Sequence, residues 1–242
     1  MEFNIYDIYV DASIDLDTKI GCAGAVIVDR KKDVIVNESY GLKKGSTNNM
    51  CEIIALWMGI YKAINMLYTE QLPFQVNLFS DSKVSLFGLR DWIANWITSM
   101  KDGHLWTTSG PAMNEEWFVD SYNAIVSSGI KLKYFHQKGH VNINSSRALF
   151  EADKMFRTSN NISPNKVGVR PDIFSKYNDH VDKHSRQAIY DLLGKNYQNP
   201  ETTYFIQGSP MVFEIVPSTL VNYLNQISGG LNYPVYYNGR YS

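Results

Sequence analysis

Ser46-Thr47-Asn48-Asn49-Met50-Cys51-Glu52-Ile53-Ile54-Ala55-Leu56-Trp57 opens the stretch on which the fold turns. From Met50 onward, Ile53, Ile54, Leu56, Trp57, Ile60, Ile64 and Leu67 recur at helical spacing. Thr47 stands where an N-cap belongs, so the spacing predicts a long amphipathic helix that starts there. The chain before it has another character. Ile5, Ile8 and Val10, then Ala23 to Val28, then Val34-Ile35-Val36 are short apolar runs, the last two separated by Asp29-Arg30-Lys31-Lys32-Asp33. Three such runs joined by short turns predict an antiparallel meander. After the helix, Pro73 precedes a buried-strand pattern at Phe74, Val76, Leu78 and Phe79 that runs into Ser80-Asp81-Ser82. Helical spacing returns over Val84 to Ile97 and Glu115 to Val126, and Ile130 to His136 reads as a further strand. Ser146 to Arg157 fits a short helix, Ser163 to Pro171 a loop, and Asn178 to Leu193 a helix. Strands, helix, strand, helices, strand and helix in that order predict an α/β fold, a mixed sheet with helices on its faces.

Composition bounds what such a fold does. The chain has 242 residues, 44% of them hydrophobic, enough for a large core. Lys+Arg 23 against Asp+Glu 24 leaves a formal charge of -1, so a nucleic-acid partner has to be held by local groups rather than by the overall field. Two cysteines, Cys22 and Cys51, cannot staple a fold of this size. The sequence shows no leader pattern at its start and no apolar run approaching the roughly 18 residues that span a bilayer, so the expectation is a soluble, cytoplasmic protein with no membrane partner.

Four carboxylates fall at the ends or starts of the expected elements. Asp11 ends the first strand, Glu52 lies one turn into the long helix, Asp81 ends the fourth strand, and Asp182 lies one turn into the helix that begins near Asn178. Several hard oxygen ligands at one sheet edge suit Mg²⁺ or Mn²⁺. Each residue taken alone is equally at home as a turn or helix-dipole residue, so only the joint pattern carries weight.

That pattern resembles type 1 ribonuclease H. The resemblance rests on Asp11 after Ile8-Tyr9-Val10, the tract Thr47-Asn48-Asn49-Met50-Cys51-Glu52, Ser80-Asp81-Ser82, Asp91-Trp92-Ile93-Ala94-Asn95-Trp96, Lys138-Gly139-His140 and Asn178-Asp179-His180-Val181-Asp182, in that order. It implies a five-stranded mixed sheet, three strands antiparallel and two parallel, flanked by helices. It also implies hydrolysis of the RNA strand of an RNA/DNA hybrid with two Mg²⁺ or Mn²⁺ ions, leaving 5′-phosphate and 3′-hydroxyl ends. Asp11, Glu52, Asp81 and Asp182 match the family's metal-binding carboxylates, and His140 its mobile-loop histidine. Thr47, Asn48, Asn49 and Asn114 match positions that contact the hybrid. For Thr47 and Asn114 a helix-capping role stands beside the binding one.

The chain also departs from the family. Gly45 stands where some relatives carry an Arg, and Ile97 to Ala112 holds one Lys, Lys101, and no Arg. Asp182 lies 182 − 140 = 42 residues beyond His140, where the family spacing is about ten. Asp153 sits nearer that spacing and is the rival fourth ligand; Asn178 before Asp182, with Lys183, Ser185 and Arg186 after it, favours Asp182. The chain then divides into a ribonuclease H-like domain over 1–194, with an insertion at about 142–177, and a C-terminal extension over 195–242 whose role and oligomeric consequence the sequence leaves open. Lys154, Arg157, Lys166 and Arg170 make the insertion the better candidate for extra substrate grip. His136 with His140, and His180 with His184, raise a zinc reading, but no Cys or further His has the spacing to complete it. A non-catalytic binding module of the same fold and a DNA-processing nuclease, such as a resolvase or transposase core, are the competing functions.

Overall fold

A computed structural model describes residues 4–70, 73–166 and 168–194. The strand-like runs expected at Thr203 to Ile206 and Val212 to Val216 lie outside the described residues. Strands β1 (Asn4–Asp15), β2 (Ile20–Asp29) and β3 (Val34–Lys44) form the antiparallel meander. Helix α1 (Asn48–Thr69) crosses over to β4 (Phe74–Ser80), which lies parallel to β1. Next come α2 (Lys83–Phe87), a π-helical turn (Gly88–Trp92), α3 (Ile93–Thr98), and a small hairpin of β5 (Trp106–Thr107) and β6 (Gly110–Pro111). Helix α4 (Glu115–Ser128) leads to β7 (Leu132–His136), parallel to β4, and α5 (Ser146–Ser159) and α6 (Pro171–Leu192) follow. Among the described residues the main sheet has five strands in the order β3-β2-β1-β4-β7, the mixed α/β arrangement expected.

Strand alternation assigns the two faces. Ile8, Val10, Ala23, Ala25, Val76 and Leu78 pack under α1 and α4, where Trp57 and Trp117 meet edge to face at 5.4 Å. Tyr9, Val26, Val28 and Phe79 point the other way, under α5 and α6, where Phe79, Phe156 and Phe174 stack. By length and composition α1 is apolar enough over Asn48–Tyr68 to cross a membrane, contrary to the expectation that no such run exists. Its apolarity serves the core instead, since 72% of its most apolar window is buried.

Three expected boundaries move. The first strand does not end at Asp11, because pairing with β2 carries it on to Asp15. Its pairing with β4 does stop at Val10, so Asp11 is the first residue to stand beyond the parallel sheet. The last helix begins at Pro171 rather than near Asn178, with Pro at its first turn, Asp172 beside it, and Ile173, Phe174 and Tyr177 packed in the core. Asp182 is therefore about three turns into the helix. The helix expected over Val84 to Ile97 is interrupted by the π-helical turn.

Candidate active site

The carboxyl ends of parallel strands are where an open α/β sheet receives ligands. Asp11 and Asp81 both follow such ends, and α1 swings Glu52 over the same edge. The helix is anchored there by Thr47, whose hydroxyl oxygen accepts from the Met50 N–H at 3.2 Å. Oxygens of Asp11, Glu52 and Asp81 lie within 4.8 Å of one another. Asp11 is 3% exposed and Glu52 8%. Glu52 Oε2 is buried without a hydrogen-bond partner. Burial first, then the neighbouring carboxylates, pushes the Asp11 and Glu52 carboxyls well above the usual carboxylate range. Burial also raises Asp81, opposed by His140 and by a hydrogen bond from Asn178. Converging oxygen ligands, an orphaned buried carboxylate oxygen and mutual repulsion together fit a hard divalent cation.

Asp182 lies beside this triplet rather than in it. Ser13, two residues beyond Asp11, donates to its Oδ1 at 3.0 Å, and Arg186 donates to both its oxygens at 2.9 Å. One turn before it on α6, Asn178 donates to Asp11 Oδ2 at 3.1 Å. Asp153 is elsewhere, on α5, held by Arg157 at 2.7 Å. The geometry thus brings Asp182, and not its rival, to the carboxylates. His140 adopts a positive φ of 51°, and its mostly exposed ring puts Nδ1 3.6 Å from Asp182 Oδ2. Gly139 before it is required sterically: a Cβ there would meet Asp81 Oδ2 at 2.0 Å. Gly45 has φ of 71°, a left-handed turn between β3 and α1 that an Arg would strain.

Thr47, Asn48 and Asn49 are exposed at the first turn of α1. Asn49 and Asn114 line one groove of about 910 Å³ with Trp92, Trp96 and Trp106. Asn114 takes the left-handed conformation, φ 56°, and makes no side-chain capping bond to α4. No charged side chain lines this groove among the described residues. Of Lys154, Arg157, Lys166 and Arg170, the insertion's candidate cations, Lys154 is exposed on α5. Arg157 is committed to Asp153 and to the carbonyls of Ser163 and Lys166, and Arg170 to Asp172. Lys166 and Arg170 line a cavity around Asp7, toward the opposite end of β1 from Asp11. The histidines form no zinc cluster among the described residues: His180 pairs with Glu38 at 3.0 Å, and His184 Nδ1 meets the His180 carbonyl. Sequence reasoning used Asn178 and Arg186 only as the local pattern around Asp182 and did not single out Ser13, though Asn178 and Asp182 stand at i and i+4 on one helix face.

The family model described as RNase H matches residues 4–159, a range that includes Asp153 and stops short of Asp182. A ribonuclease H of Hahella chejuensis (strain KCTC 2396) is 32% identical over 121 residues, 49% of this chain and 69% of that protein. A ribonuclease H of Francisella tularensis subsp. novicida (strain U112) is 31% identical over 88 residues, 36% of this chain and 51% of that protein, so the chain spans about half the length of that relative. Among solved structures, a foamy viral protease-reverse transcriptase in complex with an RNA/DNA hybrid superposes with a TM-score of 0.51 at 12% identity, over 78% of this chain and 20% of that one.

Proposed function

Because this chain belongs to the ribonuclease H family, matched over residues 4–159, we propose that it is an endonuclease that hydrolyses the RNA strand of RNA/DNA hybrids and leaves 5′-phosphate and 3′-hydroxyl ends. The observation that carries the reading is the Asp11, Glu52 and Asp81 triplet, its ligand oxygens within 4.8 Å of one another and two of its three residues buried. These three carboxylates and Asp182 are the residues to hold two Mg²⁺ or Mn²⁺ ions. When bound, such a pair supplies an acidified water and charge stabilisation for the leaving oxygen of an in-line displacement. The chain's own groups do the rest. Asn49 and Asn114 offer amide donors and acceptors to the sugar edge of the hybrid, which is where RNA differs from DNA. Trp92, Trp96 and Trp106 give the groove aromatic surface in place of charge. His140, exposed and next to Asp182, is placed to carry a proton between the site and solvent. The domain is taken as 1–194, with 195–242 as an extension.

Incubating the protein with an end-labelled hybrid, duplex RNA and duplex DNA, with and without each metal, tests this. Metal-dependent cutting of the hybrid's RNA strand that disappears in Asp81→Asn is the expected result. No cutting with either metal, or equal cutting of duplex DNA, defeats it.

A further inference from the structure

We infer that Gln137 is a positioning residue for the carboxylate cluster: it favours the orientation of the Asn178 amide that turns its N–H toward Asp11. The inference rests on the ribonuclease reading of the site. Gln137 is the first residue after β7, and its backbone N–H donates to the Ser80 carbonyl at 3.0 Å, which pins it at the edge where Asp81 emerges. Its side chain is fully buried, and the Nε2 amide donates to Asn178 Oδ1. Asn178, 2% exposed, donates in turn from Nδ2 to Asp11 Oδ2 at 3.1 Å.

An asparagine amide has one donating and one accepting end. With the Gln137 N–H on one side of Asn178 and the Asp11 carboxylate on the other, one orientation satisfies both ends. The flipped one sets Oδ1 against the Asp11 anion and Nδ2 against the Gln137 amide hydrogens. Gln137 therefore reinforces the orientation with the Asn178 N–H toward the cluster. That orients Asp11 without adding positive charge beside it. An Arg at this position would neutralise it. Partners of this kind behind metal ligands affect metal affinity by about 10–100-fold. A packing role explains Gln137 poorly. Its Oε1 is buried with no partner, a desolvation cost that an aliphatic side chain of similar size avoids.

The test is calorimetric titration of the metal-free full chain with Mn²⁺, alongside hybrid-cleavage kinetics, on Gln137→Leu, Gln137→Glu, Asn178→Ala and the Gln137→Leu/Asn178→Ala double variant, with circular dichroism to confirm folding. Gln137→Leu is expected to weaken Mn²⁺ binding about tenfold and to raise by the same factor the Mn²⁺ needed for half-maximal cleavage. The KM for hybrid stays within about twofold. In the Asn178→Ala background the Gln137→Leu change adds nothing, because the effect runs through Asn178. Gln137→Glu, which in its ionised form only accepts, turns the Asn178 amide round and loses more than Gln137→Leu; should it fail to fold, the leucine variant and the double variant still decide. A folded Gln137→Leu that binds Mn²⁺ as wild type does, or losses that add in the double variant, overturns the inference alone. Wild-type protein that neither binds Mn²⁺ nor cuts hybrid overturns the ribonuclease reading, and this inference with it.

Discussion

Strand β1 carries two aspartates on one face, four residues apart and equally buried at 3% exposure, and the protein treats them in opposite ways. Asp7 accepts from Arg30 Nε and from Asn77 Nδ2, each at 2.7 Å, so both its oxygens are matched and a cation lies against it. Asp11 accepts from the Ala12 N–H and from Asn178, both neutral, and faces Glu52, Asp81 and Asp182. Burial raises both carboxyls, but at Asp7 Arg30 pulls back, whereas at Asp11 the strongest charges, Asp81, Glu52 and Asp182, all push the same way. Burial and residue type are the same in the two places. The difference is the counter-charge: Asp7 has one against it, and Asp11 has other carboxylates converging on it instead.

The widest separation is expected in catalysis. Asp11→Asn removes a ligand from the charge-stabilising cluster, and losing several kcal/mol of transition-state stabilisation corresponds to about a thousandfold in rate. The same change relieves repulsion, so the metal-free variant should melt no lower than wild type. Hybrid-cleavage rates and a thermal melt in chelator check both halves. A variant that cuts at near wild-type rate would remove Asp11 from the ligand set.

Next comes the response to metal as pH changes. The Asp11, Glu52 and Asp81 carboxyls are raised in the folded chain, so the metal-free folded state holds protons that the unfolded chain has released. Its stability therefore falls as pH climbs from about 4 through the raised values. A divalent cation binds the ionised form and reverses the trend. Mn²⁺ at a hundred times its dissociation constant should add about 2.7 kcal/mol at pH 8 and much less at pH 5. Melting temperatures with and without Mn²⁺ at the two pH values read this directly, and an equal gain at both would show that the cluster is not where the ion binds.

How much of this was legible beforehand differs along the same strand. Asp11, Glu52 and Asp81 could be picked out because local patterns of strand end and helix start carry them to one edge. Asp7 drew no notice, since its partners Arg30 and Asn77 stand 23 and 70 residues away and come together only through the sheet. Distance along the chain pointed to Asp153, but α5 turns that side chain onto Arg157, and the approach of α6 to β1 sets Asp182 beside Ser13. The start of α6 was missed because Pro171 reads equally as a loop residue or a first-turn residue, and packing of Phe174 and Tyr177 decides it. Gly139 was legible as part of a motif; that it makes room for Asp81 Oδ2 was not.

Asp7→Asn probes the other half of the comparison. It keeps a hydrogen-bonding shape but deprives Arg30 of its anion. Because the Arg30 side chain is 47% exposed and water can take over part of that role, the cost should be about 1–2 kcal/mol rather than that of a fully buried pair. Denaturant midpoints check it. Cleavage of hybrid at saturating metal should stay within about twofold of wild type, and a large catalytic loss would mean the two ends of β1 are coupled.

The smallest effect tests whether a missing counter-charge is enough on its own. Asp120 on α4 is partly buried, its Oδ2 has no partner, and burial with Glu116 nearby pushes its carboxyl up to about 7. It lacks what Asp11 has, since no group of three possible ligands forms around it among the described residues. A lone raised carboxyl is a proton site, and its sign follows from linkage. The folded protein loses stability as pH climbs from about 4 to about 7 and stays penalised above that, so Asp120→Asn should stabilise the chain at pH 8 and by nothing measurable at pH 4. Neither Mn²⁺ affinity nor hybrid cleavage should change. If Asp120→Asn weakened Mn²⁺ binding as Asp11→Asn does, an uncompensated carboxylate would by itself suffice to mark a metal site. An effect on pH-dependent stability alone means that convergence is the second requirement, and that Asp11 meets both.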